Sequence, residues 1–203
     1  MDIPIPNHLV DQISDRCLRC YKEQQWYGEN FLYDFIGDTD VAGQRILEIG
    51  CAEAGLLKFY QEKGAICSGL ELSDVRFNNA ILLNQANSLH LFQANICDPE
   101  TYASELTEPY NTIVIRDVIE HLDNKMMDSL FDQIKLLSKE NTVILITFPP
   151  FYSPFGLHQQ VLLNNFLRFI PYLSLLPRGL IKILTGGKLN KRENVEELLS
   201  LYD

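Results

Sequence analysis

Ile46, Leu47, Glu48 and Ile49 lead into Gly50, Cys51, Ala52, Glu53, Ala54 and Gly55, an apolar run of strand length followed by a string of small residues. Small side chains let a backbone turn tightly into a helix and pass close to a ligand, with the free N–H groups of the helix start facing it. Glu71 follows about 20 residues after that loop, just past the end of the next apolar run, the place of the acidic residue in dinucleotide-type folds. A carboxylate there accepts charge-assisted hydrogen bonds from both hydroxyls of a ribose. Alone, such a glutamate is a solvated loop residue; beside a glycine loop, it reads as one half of a nucleoside grip. Other residues with chemistry to offer also follow apolar runs: Asn95, Ile96 and Asp98, then Asp117 to His121, then His158 within a proline-rich aromatic loop.

The elements that must position these residues alternate. Strand-length apolar runs occur at 45–49, 65–70, 89–93, 112–116 and 142–148, and helical patterns at 56–63, 73–84, 99–106 and 125–138. Apolar strands alternating with helices predict an α/β fold, a Rossmann-like, mostly parallel sheet covered by helices on both faces. Right-handed crossovers then collect the strands' carboxyl ends on one edge, where ligands bind. Upstream, Leu9, Ile13, Cys17 and Tyr21 recur every fourth residue, predicting a helix with Asn7 as its cap, and a second short helix is expected over 29–35 before a turn at Gly37 and Asp38. Beyond Pro150 the periodicity breaks, with short helices expected at 159–169, 180–184 and 195–201. The expected division is a helical cap over 1–40, a ligand-binding core over 41–150, and an acceptor-side loop and helical lid over 151–203.

Composition narrows the function. The 203 residues carry 46% hydrophobic and 22% charged side chains, ordinary for a soluble globular protein, and a net charge of −10 that argues against non-specific nucleic-acid binding. Five cysteines, odd in number, among mostly apolar neighbours and without a signal peptide, point to a reducing, cytoplasmic setting. Cys17 and Cys20 form a lone C-x-x-C with no second pair or nearby histidine, so helix-face packing is favoured over zinc or redox chemistry. From Pro149 to Arg192 there is no Asp or Glu, whereas Arg168, Arg178, Lys182, Lys188, Lys191 and Arg192 are basic. That segment reads as a lid packed on the core, or as a surface for an anionic acceptor or peripheral contact with a membrane.

The run from Glu48 to Gly55 resembles the first motif of the class I S-adenosylmethionine-dependent methyltransferases, with Ala52 and Ala54 in place of two glycines. Alanine adds only a methyl group but does not readily take positive φ. The resemblance covers roughly 43–148 and implies S-adenosylmethionine as cofactor and S-adenosylhomocysteine as product. By it, Glu48, Gly50, Cys51, Ala52 and Gly55 form the cofactor loop, and Glu71 and Leu72 meet the ribose side. Asn95 stands where the family usually has an aspartate that accepts from the adenine amino group, with Ile96 packing on the ring; the asparagine's amide oxygen still accepts. Asp98 is a substitute acceptor or a helix cap before Pro99. Asp117 and Val118 line the methionine end, and the Glu120, His121, Leu122 triplet matches the family's motif after the fourth strand. Two further strands that the family core usually carries after the fifth are not found, so the tail is either remodelled as helices or the chain is a piece of a longer protein.

The implied chemistry is methyl transfer from a sulfonium, which needs alignment and water exclusion more than covalent help. A hydroxyl acceptor needs its proton removed, which makes His121 and His158 the candidate catalytic residues; for His121 a backbone-bonded histidine at a helix start competes equally. No metal-ligand cluster is visible, so metal-independent transfer to a small-molecule acceptor, a saccharide or a lipid-linked intermediate, is expected. A nicotinamide-dependent oxidoreductase shares the loop and the acidic residue, but here only the outer glycines of its motif remain and the Glu120–Leu122 triplet has no role. A methyltransferase-like binding module without turnover is the other alternative.

Overall fold

A computed structural model describes residues 13–36, 40–85, 89–186 and 190–200. The chain divides into two compact units, Met1–Thr147 and Phe148–Asp203. In the first, strands β1 (Arg45–Ile49), β2 (Ile66–Glu71), β3 (His90–Gln93), β4 (Tyr110–Arg116) and β5 (Ser138–Thr147) form one sheet in the order β3-β2-β1-β4-β5. Every pairing is parallel. The order reverses between β1 and β4, which places the expected ligand crevice at the carboxyl ends of those two central strands.

Both faces are buried at the central strands β1, β2 and β4, which is why these read as continuous apolar runs, whereas the edge strands β3 and β5 are partly exposed. Alternate β1 side chains part to opposite sides: Ile46 enters one core with Leu56, Leu57 and Tyr60, whereas Leu47 and Ile49 enter the other with Leu130 and Ile134. Helix α1 (Asp15–Tyr27), α2 (Gly55–Glu62), α3 (Asp74–Leu83) and α4 (Asn124–Leu137) supply the cover. Ser14 caps α1, Ser73 caps α3 and Asp123 caps α4, each side chain accepting from a backbone N–H of the first turn. Cys17 packs with Ile13, Tyr21 and Leu83, the helix-face role expected of it. Asn7, Leu9, Gly37 and Asp38 lie outside the described residues.

Several boundaries differ from the sequence expectation. The helix expected over 99–106 is only a 3-10 turn, Pro99–Thr101. Tyr102 leaves helical geometry, and its buried hydroxyl donates to the Ile96 carbonyl at 2.8 Å. The separate helix expected over 29–35 is a continuation of α1 that changes pitch, first a π turn (Gly28–Leu32) and then a 3-10 turn (Tyr33–Ile36). Strand β5 begins four residues early, directly after α4, and Glu71 is the last residue of β2 instead of standing beyond it.

The second unit contains α5 (Gln159–Leu162), α6 (Arg178–Thr185), α7 (Arg192–Ser200) and 3-10 turns at Phe166–Phe169 and Leu173–Leu175. Leu157, Leu163, Leu167, Ile181 and Leu198 form its core. No strand follows β5 among the described residues.

Candidate functional site

A cleft of about 550 Å³ opens at the carboxyl ends of β1 to β4. Gly50 and Ala52 line it from β1, Glu71 and Leu72 from β2, Asn95 and Ile96 from β3, and Asp117, Val118 and His121 from β4. The first loop is pinned at its entrance, because the Gly50 and Cys51 N–H groups both donate to the Leu70 carbonyl, at 2.8 and 3.0 Å. Gly50 has φ of +73°, and a Cβ there would run into the Val118 side chain. Ala52 and Ala54 also take positive φ, 50° and 60°. The loop therefore keeps a left-handed course at two positions where alanine costs roughly 1–2 kcal/mol each.

Glu71 is 7% exposed, yet its carboxylate forms part of the cleft wall. One oxygen accepts from the Ala52 N–H at 2.8 Å and the other from the Ser73 N–H at 2.7 Å. Two backbone donors fix the carboxylate between the first loop and the start of α3, and each oxygen keeps a lone pair. The Asn95 amide oxygen accepts from the Cys97 N–H at 3.0 Å, which orients that side chain beside Ile96. Asp98 occupies the cap position before Pro99, but its carboxylate makes no capping bond.

Three residues of the expected cofactor loop do not line the cleft: Glu48, Cys51 and Gly55. Cys51 is buried, and burial pushes its thiol well above the usual range. Gly55 opens α2, but its N–H is taken by the Gln24 amide oxygen at 2.7 Å, so this helix start does not offer that donor to a ligand as expected. The Gln24 amide nitrogen donates to Glu53 at 2.9 Å, and Tyr21 reaches Asn84, which donates to the Glu53 carbonyl. A Cβ on Gly55 would strike the Tyr21 carbonyl, so glycine is required there for α1 to sit on the loop. Gln24 was missed in the sequence, together with Cys20 and Glu23 of the same helix, all of which line the cleft. The available signal was a glutamine three residues after Tyr21, on the buried side of an amphipathic helix.

Glu48 is fully buried beneath the cleft. Burial pushes its carboxyl up to about 8; Arg116 works against that shift, and the Glu71 and Glu53 carboxylates add to it. The Arg116 Nε lies 3.9 Å from a Glu48 oxygen, with its guanidinium over the Tyr27 ring. Arg116 also lines the cleft and was another residue that the sequence reading passed over. Next to it, Asp117 has φ of 54° and donates its backbone N–H to Thr147. His121 ends a 3-10 turn, its N–H bonded to the Val118 carbonyl and its ring Nε2 4.0 Å from Glu120. His158 belongs to the second unit, where it precedes α5 with φ of 52°.

Residues 29–191 match the family model described as Methyltransferase domain. The chain belongs to that family, the class I S-adenosylmethionine-dependent methyltransferases. A curated relative, the (S)-tetrahydroprotoberberine N-methyltransferase of Eschscholzia californica, is 27% identical over 82 residues, 40% of this chain and 23% of that one. The chain thus spans about a quarter of that relative's length. Two solved structures share the Rossmann-like fold. The PH0226 protein of Pyrococcus horikoshii OT3 superposes with a TM-score of 0.54 and 13% identity over 64% of this chain and 58% of that one. The glycopeptide N-methyltransferase MtfA, complexed with sinefungin, gives 0.50 and 16% over 61% and 53%.

Proposed function

We propose that the cleft holds S-adenosylmethionine and that the protein methylates a hydroxyl of a small-molecule acceptor, a saccharide or a lipid-linked intermediate. The observation that carries this reading is the Glu71 carboxylate, fixed by two backbone donors beside a loop with no room for a side chain at Gly50. Its remaining lone pairs suit the two ribose hydroxyls, and the cleft volume lies within the range of cofactor pockets. Leu72 and Ile96 flank the adenine, Asn95 accepts from its amino group, and Asp117, Val118 and the Gly50 turn border the methionine end. Arg116 supplies a cation for the amino-acid carboxylate, while the Glu53 and Glu71 carboxylates that line the cleft suit a ligand with a positive centre.

When bound, the sulfonium provides an electrophilic methyl and departs as a neutral thioether, so the protein's share is alignment and proton removal. His121 lines the same cleft and takes the acceptor's proton in this reading, with Glu120, 4.0 Å from its Nε2, steadying the resulting imidazolium. His158 is the second candidate base. A second reading, transfer to an amine, draws support from the N-methyltransferases among the similar proteins. Calorimetric titration with S-adenosylhomocysteine and with NAD tests the assignment. Binding of the first alone is expected. Binding of NAD instead would move the protein to hydride chemistry, and binding of neither would make it a module without turnover.

A further inference from the structure

The second unit has a surface that its core does not explain. Among the described residues, nine of nineteen exposed large apolar side chains lie between Phe148 and Leu184. That stretch is about a fifth of the described residues, so the concentration is not the ordinary scatter of surface leucines. Helix α6 shows how it is arranged. Ile181 and Thr185 are buried, whereas Leu180, Ile183 and Leu184, at spacing i, i+3 and i+4, present an apolar face outward, with Ile183 77% exposed. The 3-10 turn at Phe166–Phe169 repeats the pattern: Leu167 is buried, and Phe166 and Phe169, three residues apart, share one side and are each about 70% exposed.

Charge indicates what covers these faces. Arg178 and Lys182 are exposed on α6 itself, and the Arg168 guanidinium lies over the Phe169 ring at 5.2 Å. No carboxylate side chain occurs from Pro149 to Arg192 in a chain of net charge −10. Protein–protein contacts bury aromatic residues too, but lysine is depleted in their cores, and an acid-free strip offers no paired charges to fix a partner's register. Exposed aromatic and aliphatic groups flanked by snorkelling Lys and Arg are what an anionic bilayer surface accepts. Among the described residues no helix is long and apolar enough to cross a membrane, so the contact that fits these faces is peripheral.

We propose that the outward apolar side of α6, and likewise that of the Phe166–Phe169 turn, docks on an anionic lipid surface. This deepens the proposed function by resting on its lipid-linked acceptor, which would be met at the bilayer.

The test is co-sedimentation of the full chain with vesicles of phosphatidylcholine alone or with added phosphatidylserine, run alongside Ile183→Glu and Lys182→Gln. Binding to the anionic vesicles is expected, weakened by salt and by roughly fivefold in Lys182→Gln, the worth of one basic residue near such a surface. Ile183→Glu should lose on the order of tenfold or more, since it removes inserted apolar area and adds a like charge. Failure to bind anionic vesicles overturns the proposal, as does equal binding to phosphatidylcholine alone or binding indifferent to both substitutions. Self-association without lipid, abolished by Ile183→Glu, would assign the face to a second copy and also overturn it. Calorimetry with S-adenosylhomocysteine on the same proteins keeps the two readings apart. The variants should bind it unchanged, and a wild type that fails to bind it defeats the methyltransferase reading without touching the vesicle result.

Discussion

Replacing Glu48 with glutamine should make the protein's stability far less sensitive to pH. Glu48 sits on the central strand with no solvent exposure, and its carboxyl is pushed up to about 8, chiefly by burial. Below about pH 4 the carboxyl is protonated in both folded and unfolded chains, and the native state carries no penalty from it. Between about pH 4.3 and 8 the unfolded chain releases the proton while the folded chain holds it, so the folded state loses ground as pH rises. At about 1.4 kcal/mol per pKa unit, the full loss is of order 3–5 kcal/mol, complete only once pH passes the native value. Arg116 limits the effect, since its guanidinium favours the ionised form. The assay is urea unfolding of wild type and Glu48→Gln at intervals from pH 5 to 9. Other titrating groups cancel in the difference between the two. The difference should grow with pH in favour of the variant. Parallel curves would show that Glu48 is ionised in the folded protein and refute the account of its environment.

Glu71→Ala should weaken S-adenosylhomocysteine binding by roughly 1.5–3 kcal/mol, measured by calorimetry, because it removes a charged acceptor of the ribose. Unchanged affinity would exclude that role. Ala52→Gly should stabilise the protein by about 0.5–1 kcal/mol in denaturant unfolding, the reverse of the usual glycine penalty, since φ at this position is 50° and glycine takes that conformation without strain. His121→Asn should lower kcat by roughly 10²–10⁴ for a hydroxyl acceptor and leave S-adenosylhomocysteine affinity unaltered. A kcat that does not move favours an amine, which once neutral needs no base.

The central strands were legible in the sequence because both faces of the parallel sheet are covered there, which leaves unbroken apolar runs. The loop and Glu71 were legible for a related reason, since each lies at a strand's carboxyl end at a spacing set by one crossover helix. What escaped notice depends on contacts between distant residues. Gln24 meets Gly55 across 31 positions, and no local pattern marks a side chain that caps another segment's helix. The helix expected after Pro99 stops at Tyr102, whose hydroxyl also lies 3.1 Å from the Gln133 amide oxygen, 31 positions on. Positive φ at Ala52 and Ala54 ran against residue preference, and the bonds from Glu71 to the Ala52 N–H and from Gly50 and Cys51 to Leu70 show what holds the loop there. Glu48, expected in the cofactor loop, is fully buried on the strand face of Ile46 and does not line the cleft.

A crystal structure of the chain with S-adenosylhomocysteine tests the central claim most directly. Both ribose hydroxyls should lie within hydrogen-bond reach of the Glu71 carboxylate, with the nucleoside crossing the Gly50 turn and its base between Leu72 and Ile96. Ligand density in another part of the molecule, or a ribose in the cleft that makes no contact with Glu71, would contradict it.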